Sequence, residues 1–142
     1  MTEDIGMLIK QLYDAKEKRA NEQLKSFDLT FSQFRMLIYL HEQSEPTSMK
    51  AVEREFSLTQ QTVAGLVKRL ESKGFLYTQE SSTDKRAKEI RLTEKGEASY
   101  QEAAGAYHQA QTSLTKGLSV AEEMELQRML KILLNNMSSA VE

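Results

Sequence analysis

The sequence predicts a mostly helical fold with one small β-hairpin, and two adjacent stretches carry this prediction. The first is residues 59–70, whose apolar positions follow the i, i+3, i+4, i+7 spacing of an amphipathic helix: Val63, Leu66, Val67 and Leu70. The second is residues 83–96, where a polar loop tip is followed by the alternating run Ile90-Arg91-Leu92 and a helix start at Thr93. A helix followed by a projecting hairpin and another helix indicates a winged helix-turn-helix.

The chain before residue 59 supplies the other helices of this unit. One long helix is predicted from about Thr2 to Leu24, with the apolar stripe Ile5, Leu8, Ile9 and Leu12. Thr30 and Gln33 fit a capping box at the start of a second helix, which runs to about His41. Its inward residues are expected to be Phe31, Phe34, Leu37 and Ile38. Thr47 is predicted to cap a short third helix that runs to about Glu55, and Thr59 to cap the next.

The hairpin follows directly. Gly74 is expected to end the preceding helix in the left-handed conformation. Strands are predicted at Phe75–Gln79 and Lys88–Leu92. The connection between them, residues 80–87, is too long for a two-residue turn and is therefore expected to project as a wing.

Two further helices complete the chain. One runs from Thr93 to about Leu114, with the apolar set Ala98, Ala103, Ala104 and Tyr107. Ser119 and Glu122 fit a capping box for the last helix, which carries the packed stripe Leu126, Met129, Leu130, Leu133 and Met137. The stripe of the first helix needs a partner, either the last helix of the same chain or the last helix of a second copy. We interpret residues 1–142 as a single domain, with a core at about 30–96 and dimerisation helices at about 2–24 and 97–138.

The charge distribution favours a nucleic-acid partner. The formal net charge is −2, but residues 47–95 contain ten Lys or Arg and seven Asp or Glu, a balance of +3, and the remainder carries −5. A basic middle between acidic flanks places a phosphate-facing surface at the helix and the wing, because counterion release depends on the local patch.

Other classes of function find little support in the residues. There is no Cys, which excludes disulfides, thiolate metal sites and thiol sensors. His41 and His108 are isolated, so neither a metal nor a cofactor is expected. No apolar run approaches the length of a membrane span, and a cytoplasmic protein is expected. No catalytic motif is present, although Ser, His and Asp side chains can still converge in space, which leaves an enzyme as one alternative.

The sequence resembles the MarR family of bacterial transcription regulators over almost the whole chain. The wing motif of that family is matched by Asp84, Arg86, Ile90, Leu92, Thr93, Lys95 and Gly96. The preceding run, from Leu58 to Gly74, resembles the recognition helix of the family, and Leu29-Thr30 before Phe34 resembles its second helix. Many relatives have Arg where this chain has Thr78, which removes one expected DNA contact.

The resemblance implies a homodimeric, non-enzymatic regulator that binds double-stranded DNA at a pseudo-palindromic operator, usually as a repressor. It also implies a small-molecule effector in a cleft between the dimerisation helices and the DNA-binding unit. Seven side chains either line such a cleft or fill the core: Tyr13, Tyr39, Tyr100, Tyr107, Met36, His41 and His108.

The DNA-binding residues are expected in two groups. In the recognition helix, Thr59 is the cap, and the side chains of Gln60, Gln61 and Thr62 are expected to contact base edges and phosphates. Gly65 permits the helix to approach the sugar-phosphate backbone closely. Lys68 and Arg69 are expected to bind phosphates. In the wing, Arg86 is expected to enter the minor groove, and Lys85 and Lys88 add positive charge. Asp84 is expected to hold the Arg86 guanidinium in a fixed fork. A winged-helix module that binds only proteins is the second alternative; it explains the helices but not the cationic wing.

Overall fold

The computed structural model describes residues 3–139. The helices of this part are α1 (Ile5–Leu24), α2 (Phe31–Glu42), α3 (Met49–Phe56), α4 (Gln60–Ser72), α5 (Glu94–Leu114) and α6 (Val120–Ser139). The strands are β1 (Thr47–Ser48), β2 (Leu76–Glu80) and β3 (Lys88–Leu92). The mostly helical fold with a small wing is thus confirmed. The helix start predicted at Thr2 lies outside the described residues.

Side-chain caps fix the first two helices. Asp4 accepts a hydrogen bond from the backbone N–H of Met7 at 3.2 Å and begins α1. After a single 3-10 turn, Asp28 adopts the left-handed conformation (φ 57°) and redirects the chain toward α2. The predicted capping box of α2 is confirmed, because Thr30 Oγ1 accepts from Gln33 N at 3.1 Å and Gln33 Oε1 accepts from Thr30 N at 3.2 Å.

The predicted cap of α3 was wrong by one residue. Ser48 is the cap, with its Oγ accepting from Ala51 N at 3.0 Å. Thr47 instead lies in β1, where it pairs with Ile90 and is buried. This two-residue strand was not predicted; it extends the hairpin to a three-stranded antiparallel sheet in the order β1-β3-β2.

The first strand of the hairpin begins one residue later than predicted, whereas β3 has the predicted bounds. Phe75 N–H donates to Leu70 O at 3.0 Å, so Phe75 belongs to the turn that follows α4 and the strand starts at Leu76. The strands pair in register from Leu76 with Leu92 to Glu80 with Lys88.

One hydrophobic core connects the sheet and the first five helices. Phe31, Phe34 and Leu37 of α2 are buried and Ile38 is half-buried, as predicted. Further fully buried core side chains are contributed by α2, α3, α4 and β3: Met36, Val52, Val63, Leu70 and Ile90. This core fixes how the exposed faces of α4 and the hairpin are presented.

The start of α5 is packed closely against the end of α4. Thr93 caps α5, because its Oγ1 accepts from Gly96 N at 3.0 Å and donates to Gly74 O. A Cβ added to Gly96 would lie 1.8 Å from Phe75 O, so only Gly fits there. Of the apolar set identified in this helix, Ala103 is buried and Ala98 is exposed.

The chain divides into two compact units between His108 and Gln109, within α5. In the second unit, the predicted capping box of α6 is confirmed by hydrogen bonds of 3.1 Å to Ser119 Oγ and 2.9 Å to Glu122 Oε1. The hydrogen bonds from Ser119 hold the pKa of Glu122 below its ordinary value. The stripe predicted to be packed is exposed at Leu126, Met129, Leu130 and Met137 and half-buried at Leu133.

The described residues contain neither a membrane span nor a cluster of metal ligands. None of the helices between residues 3 and 139 is apolar enough over a sufficient length to cross a bilayer. Within the same residues, no three His, Asp or Glu side chains lie together in a way that could bind a metal ion.

Candidate nucleic-acid interface

Helices α3 and α4 form a helix-turn-helix. Ser57 ends α3 in the left-handed conformation (φ 50°), and Leu58 N–H donates to Glu53 O at 3.1 Å. Thr59 then caps α4, its Oγ1 accepting from Thr62 N at 3.2 Å. The cap predicted from sequence is therefore confirmed, and it fixes the first turn of α4.

The two faces of α4 differ in chemistry. Val63, Val67 and Leu70 are buried in the core. All the residues that the sequence assigned to DNA contact from this helix, together with the cap, are exposed: Thr59, Gln60, Gln61, Thr62, Gly65, Lys68 and Arg69. By helical spacing, Gln61, Gly65 and Lys68 lie opposite the buried residues and form the outer face of α4.

Gly65 lies in open space on this outer face. A Cβ built at Gly65 would meet no atom of the described chain within 4 Å. Packing inside the chain therefore does not require glycine at this position.

A Schellman motif ends α4 and directs the chain into the hairpin. Gly74 is left-handed (φ 79°), as predicted. Gly74 N–H donates to Glu71 O at 2.9 Å, and Phe75 N–H donates to Leu70 O at 3.0 Å. These bonds fix the direction in which β2 leaves the helix.

The wing loop, residues 81–87, is organised by a serine whose role the sequence did not reveal. Ser81 is buried at 8% exposure, and its Oγ accepts from the N–H groups of Thr83 at 3.2 Å and Asp84 at 3.3 Å. Its own N–H donates to Ala87 O at 3.0 Å and closes the loop. A serine in a polar loop carries no sequence signal that distinguishes this buried position from a solvated one.

Asp84 does not form the predicted fork with Arg86. Its Oδ1 accepts from the backbone N–H of Arg86 at 3.0 Å, and Ala87 N–H donates to Asp84 O at 3.0 Å. The Nε of Arg86 lies 3.9 Å from Asp84 Oδ1, and the Arg86 side chain is 97% exposed. Asp84 therefore shapes the turn of the backbone, as Asp commonly does through an Asx turn, and leaves the guanidinium extended into solvent.

The two lysines of the wing are also exposed. No acidic group of residues 3–139 forms an ion pair with Lys85 or Lys88. With Arg86, these side chains give the tip three cations within four residues.

Thr78 faces the end of α4. Its Oγ1 donates to Glu71 Oε2 at 3.3 Å. This short polar side chain therefore stabilises the junction between helix and hairpin inside the chain.

The aromatic residues considered for a ligand cleft have mixed positions. Met36 is buried in the core, Tyr13 is exposed, and Tyr107 packs on Phe34 with ring centroids 5.0 Å apart. His41 stacks on Tyr100 at 4.2 Å, and its Nδ1 lies 2.6 Å from Glu97 Oε1. His41 thus has a structural partner, as expected for an isolated histidine.

Comparison with known proteins places this geometry in a family. Residues 27–87 match the family model described as MarR family. The chain is 32% identical over 123 residues to the HTH-type transcriptional regulator MgrA of Staphylococcus aureus, covering 84% of this chain and 82% of MgrA.

Two solved structures share the fold and contain DNA. The S. aureus MepR–DNA complex aligns with a TM-score of 0.89 at 23% identity, covering 96% of this chain and 99% of MepR. A mutant of MarR from E. coli, complexed with operator DNA, aligns with a TM-score of 0.86 at 26% identity, covering 92% of this chain and 93% of that chain. The helix-turn-helix, the wing and these similarities lead to one conclusion: the chain belongs to the MarR family of transcriptional regulators.

Proposed function

We propose that this transcriptional regulator is a homodimeric repressor that binds a pseudo-palindromic operator through α4 and the wing. The members of its family are transcription factors and not enzymes. The observation that carries the proposal is the wing tip, where the Arg86 side chain is 97% exposed above a turn fixed by Ser81 and Asp84. A hydrogen-bonded loop that holds an exposed guanidinium suits insertion into a narrow minor groove.

In the proposed complex, the first turn of α4 enters the major groove. Gln60 and Gln61 read base edges, since a Gln amide can pair bidentately with adenine. The cap, Thr59, and Thr62 contact phosphates, and Gly65 allows the helix to lie close to the groove wall. Lys68 and Arg69 neutralise phosphates and fix the register.

In the wing, Arg86 reads the minor groove, and Lys85 and Lys88 contribute positive charge near the backbone. Asp84 stabilises the turn of the loop by accepting a hydrogen bond from the backbone N–H of Arg86, although its carboxylate is repelled by the phosphates. In this proposal Arg86 contributes to sequence specificity, and Lys85 and Lys88 contribute electrostatic attraction to DNA of any sequence.

Two exposed apolar stripes support a homodimer. On α1, Ile5, Leu8, Ile9 and Leu12 are between 44% and 61% exposed, and α6 exposes the residues described above. Apolar surface of this extent favours burial against a partner, and a second copy provides the same two stripes. A two-fold dimer of helix-turn-helix units matches two half-sites about 34–36 Å apart, which explains why the operator should be pseudo-palindromic.

Release from DNA by a small-molecule effector is part of the proposal and is supported by the family alone. A cytoplasmic location follows from the same proposal, since the target is chromosomal DNA.

The proposal is tested by fluorescence anisotropy with a duplex from upstream of the protein's own gene and a scrambled duplex, each at two salt concentrations. Tight binding to the first duplex that weakens steeply with salt supports an operator-binding regulator. Equal and weak binding to both duplexes calls for a genome-wide fragment selection. If no fragment is enriched in that selection, the proposal fails and a protein-binding winged helix takes its place.

A further inference from the structure

Lys73 is a cation at the end of α4 that turns away from the outer face of the helix. It is the C-cap residue of α4, and its side chain is only 24% exposed. Lys68 and Arg69, on the same helix, are exposed. A lysine that follows a DNA-reading helix would ordinarily be assigned to a phosphate, but this one points into the protein.

The ammonium group of Lys73 is engaged by two elements that precede the helix-turn-helix. Its Nζ donates to Gln33 Oε1 at 3.0 Å and also to the backbone carbonyl of Asp28. The carboxylate of Asp28 lies 3.6 Å away at Oδ1. These acceptors leave little capacity to bind a phosphate, because an ammonium group has three donors.

Both acceptors belong to structurally fixed positions. Gln33 is 5% exposed, and the same Oε1 accepts from Thr30 N in the capping box of α2. Asp28 is the left-handed residue (φ 57°) between α1 and α2. Lys73 therefore ties the end of α4 to the start of α2 and to the junction between α1 and α2.

We propose that Lys73 is a positioning residue: its hydrogen bonds to Gln33 and Asp28 hold α4 at a fixed orientation, and this orientation sets how well the protein discriminates its operator. The inference rests on the proposed function, since it concerns the helix that reads the operator. Base-edge hydrogen bonds need accurate placement of side chains, so a small rotation of α4 weakens specific contacts more than phosphate contacts.

The test compares Lys73→Met, which keeps the aliphatic chain and removes the donors, with the matched control Lys68→Met on the exposed face of the same helix. For Lys73→Met we expect discrimination between operator and scrambled duplex to fall about tenfold, the scale of one impaired base contact, with an unchanged salt slope. For Lys68→Met we expect a salt slope lower by about one with discrimination retained.

A second measurement needs no DNA and so separates this inference from the proposed function. In hydrogen exchange of the free protein, Lys73→Met should accelerate exchange by at least about tenfold at the amides of Asp28, Leu29, Gly74 and Phe75, because it removes two hydrogen bonds donated by a charged group. The amides that pair β2 with β3 serve as the internal control and should not change.

Three results separate the interpretations. Faster exchange at the junction together with lost discrimination supports the positioning role. A reduced salt slope with intact discrimination would show that Lys73 contacts a phosphate and would overturn the positioning role. Unchanged exchange at all four amides would overturn the positioning role as well. If Lys73→Met does not fold, Lys73→Arg carries the same test, because the planar guanidinium keeps the charge for a phosphate but fits the two acceptors less well.

Discussion

Asp84 Oδ1 accepts a hydrogen bond from the backbone N–H of Arg86 at 3.0 Å, while the Arg86 guanidinium extends into solvent with its Nε 3.9 Å from the same oxygen. An acidic residue at the tip of a DNA-binding wing is unfavourable beside phosphates. Its position is explained by the conformation of the turn, which leaves the Arg86 side chain exposed.

The role of Asp84 can be separated from its charge. Asp84→Asn keeps the acceptor oxygen and removes the negative charge, so we expect operator affinity equal to or higher than that of the wild type. Asp84→Ala removes the acceptor and should lower operator affinity about tenfold, the scale expected for one lost charge-assisted hydrogen bond. Anisotropy titration measures both. Equal losses in the two variants would contradict this account and favour an ionic fork between Asp84 and Arg86.

Gly65 should show opposite effects on stability and on binding. Gly65→Ala adds a methyl group in open space and should stabilise the fold by about 0.5–1 kcal/mol, since alanine is the better helix former. If α4 approaches DNA closely, the same variant should lose about tenfold in operator affinity. Urea denaturation and anisotropy provide the two values.

Gly105→Ala is the matched control for Gly65→Ala. Gly105 also lies in a helix with nothing within 4 Å of a built Cβ, and it is remote in sequence from the helix and wing. We expect a similar gain in stability with operator affinity unchanged. Wild-type affinity in Gly65→Ala would show that α4 does not approach DNA closely at this residue.

Gly96 should tolerate no side chain. A Cβ there would lie 1.8 Å from Phe75 O, a backbone atom that also accepts from Thr93 N at 3.1 Å. We expect Gly96→Ala to destabilise the protein by about 3 kcal/mol, because α5 must move away from the end of α4. A urea midpoint like that of the wild type would be inconsistent with this packing.

The exposed stripe of α1 tests the homodimer. Leu12 is 55% exposed, and we expect Leu12→Asp to place a charge in the subunit interface and shift the protein toward monomers in sedimentation velocity. Gln11→Asp, on the same helix and outside the stripe, is the control and should remain dimeric. A wild-type protein that sediments as a monomer at micromolar concentration would refute the dimer directly.

The elements that the sequence predicted well are those whose periodicity and caps agree. Thr30 with Gln33, Thr59 and Gly74 marked the helix ends correctly because each satisfies backbone groups that the helix itself leaves unpaired. The α4 helix and the strand Lys88–Leu92 followed from apolar spacing, because the apolar residues of each element are buried on one side.

The features that the sequence did not reveal depend on contacts between distant residues. β1 is only two residues long and shows no periodicity; it exists because Thr47 and Ser48 pair with β3. Since Thr47 is in this strand, the cap of α3 is Ser48 and not Thr47. The inward turn of Lys73 depends on Gln33, forty residues earlier. Chemical type alone assigns such a lysine to solvent or to phosphate.

The measurement that most directly tests the central claim is the operator affinity of Arg86→Ala against that of Lys85→Ala, each titrated at two salt concentrations. Arg86→Ala should weaken operator binding by about 1–3 kcal/mol and reduce discrimination against the scrambled duplex, because the guanidinium enters the minor groove. Lys85→Ala should lower the salt slope by about one with little change in discrimination. Unchanged operator affinity in Arg86→Ala would contradict the proposed role of the wing.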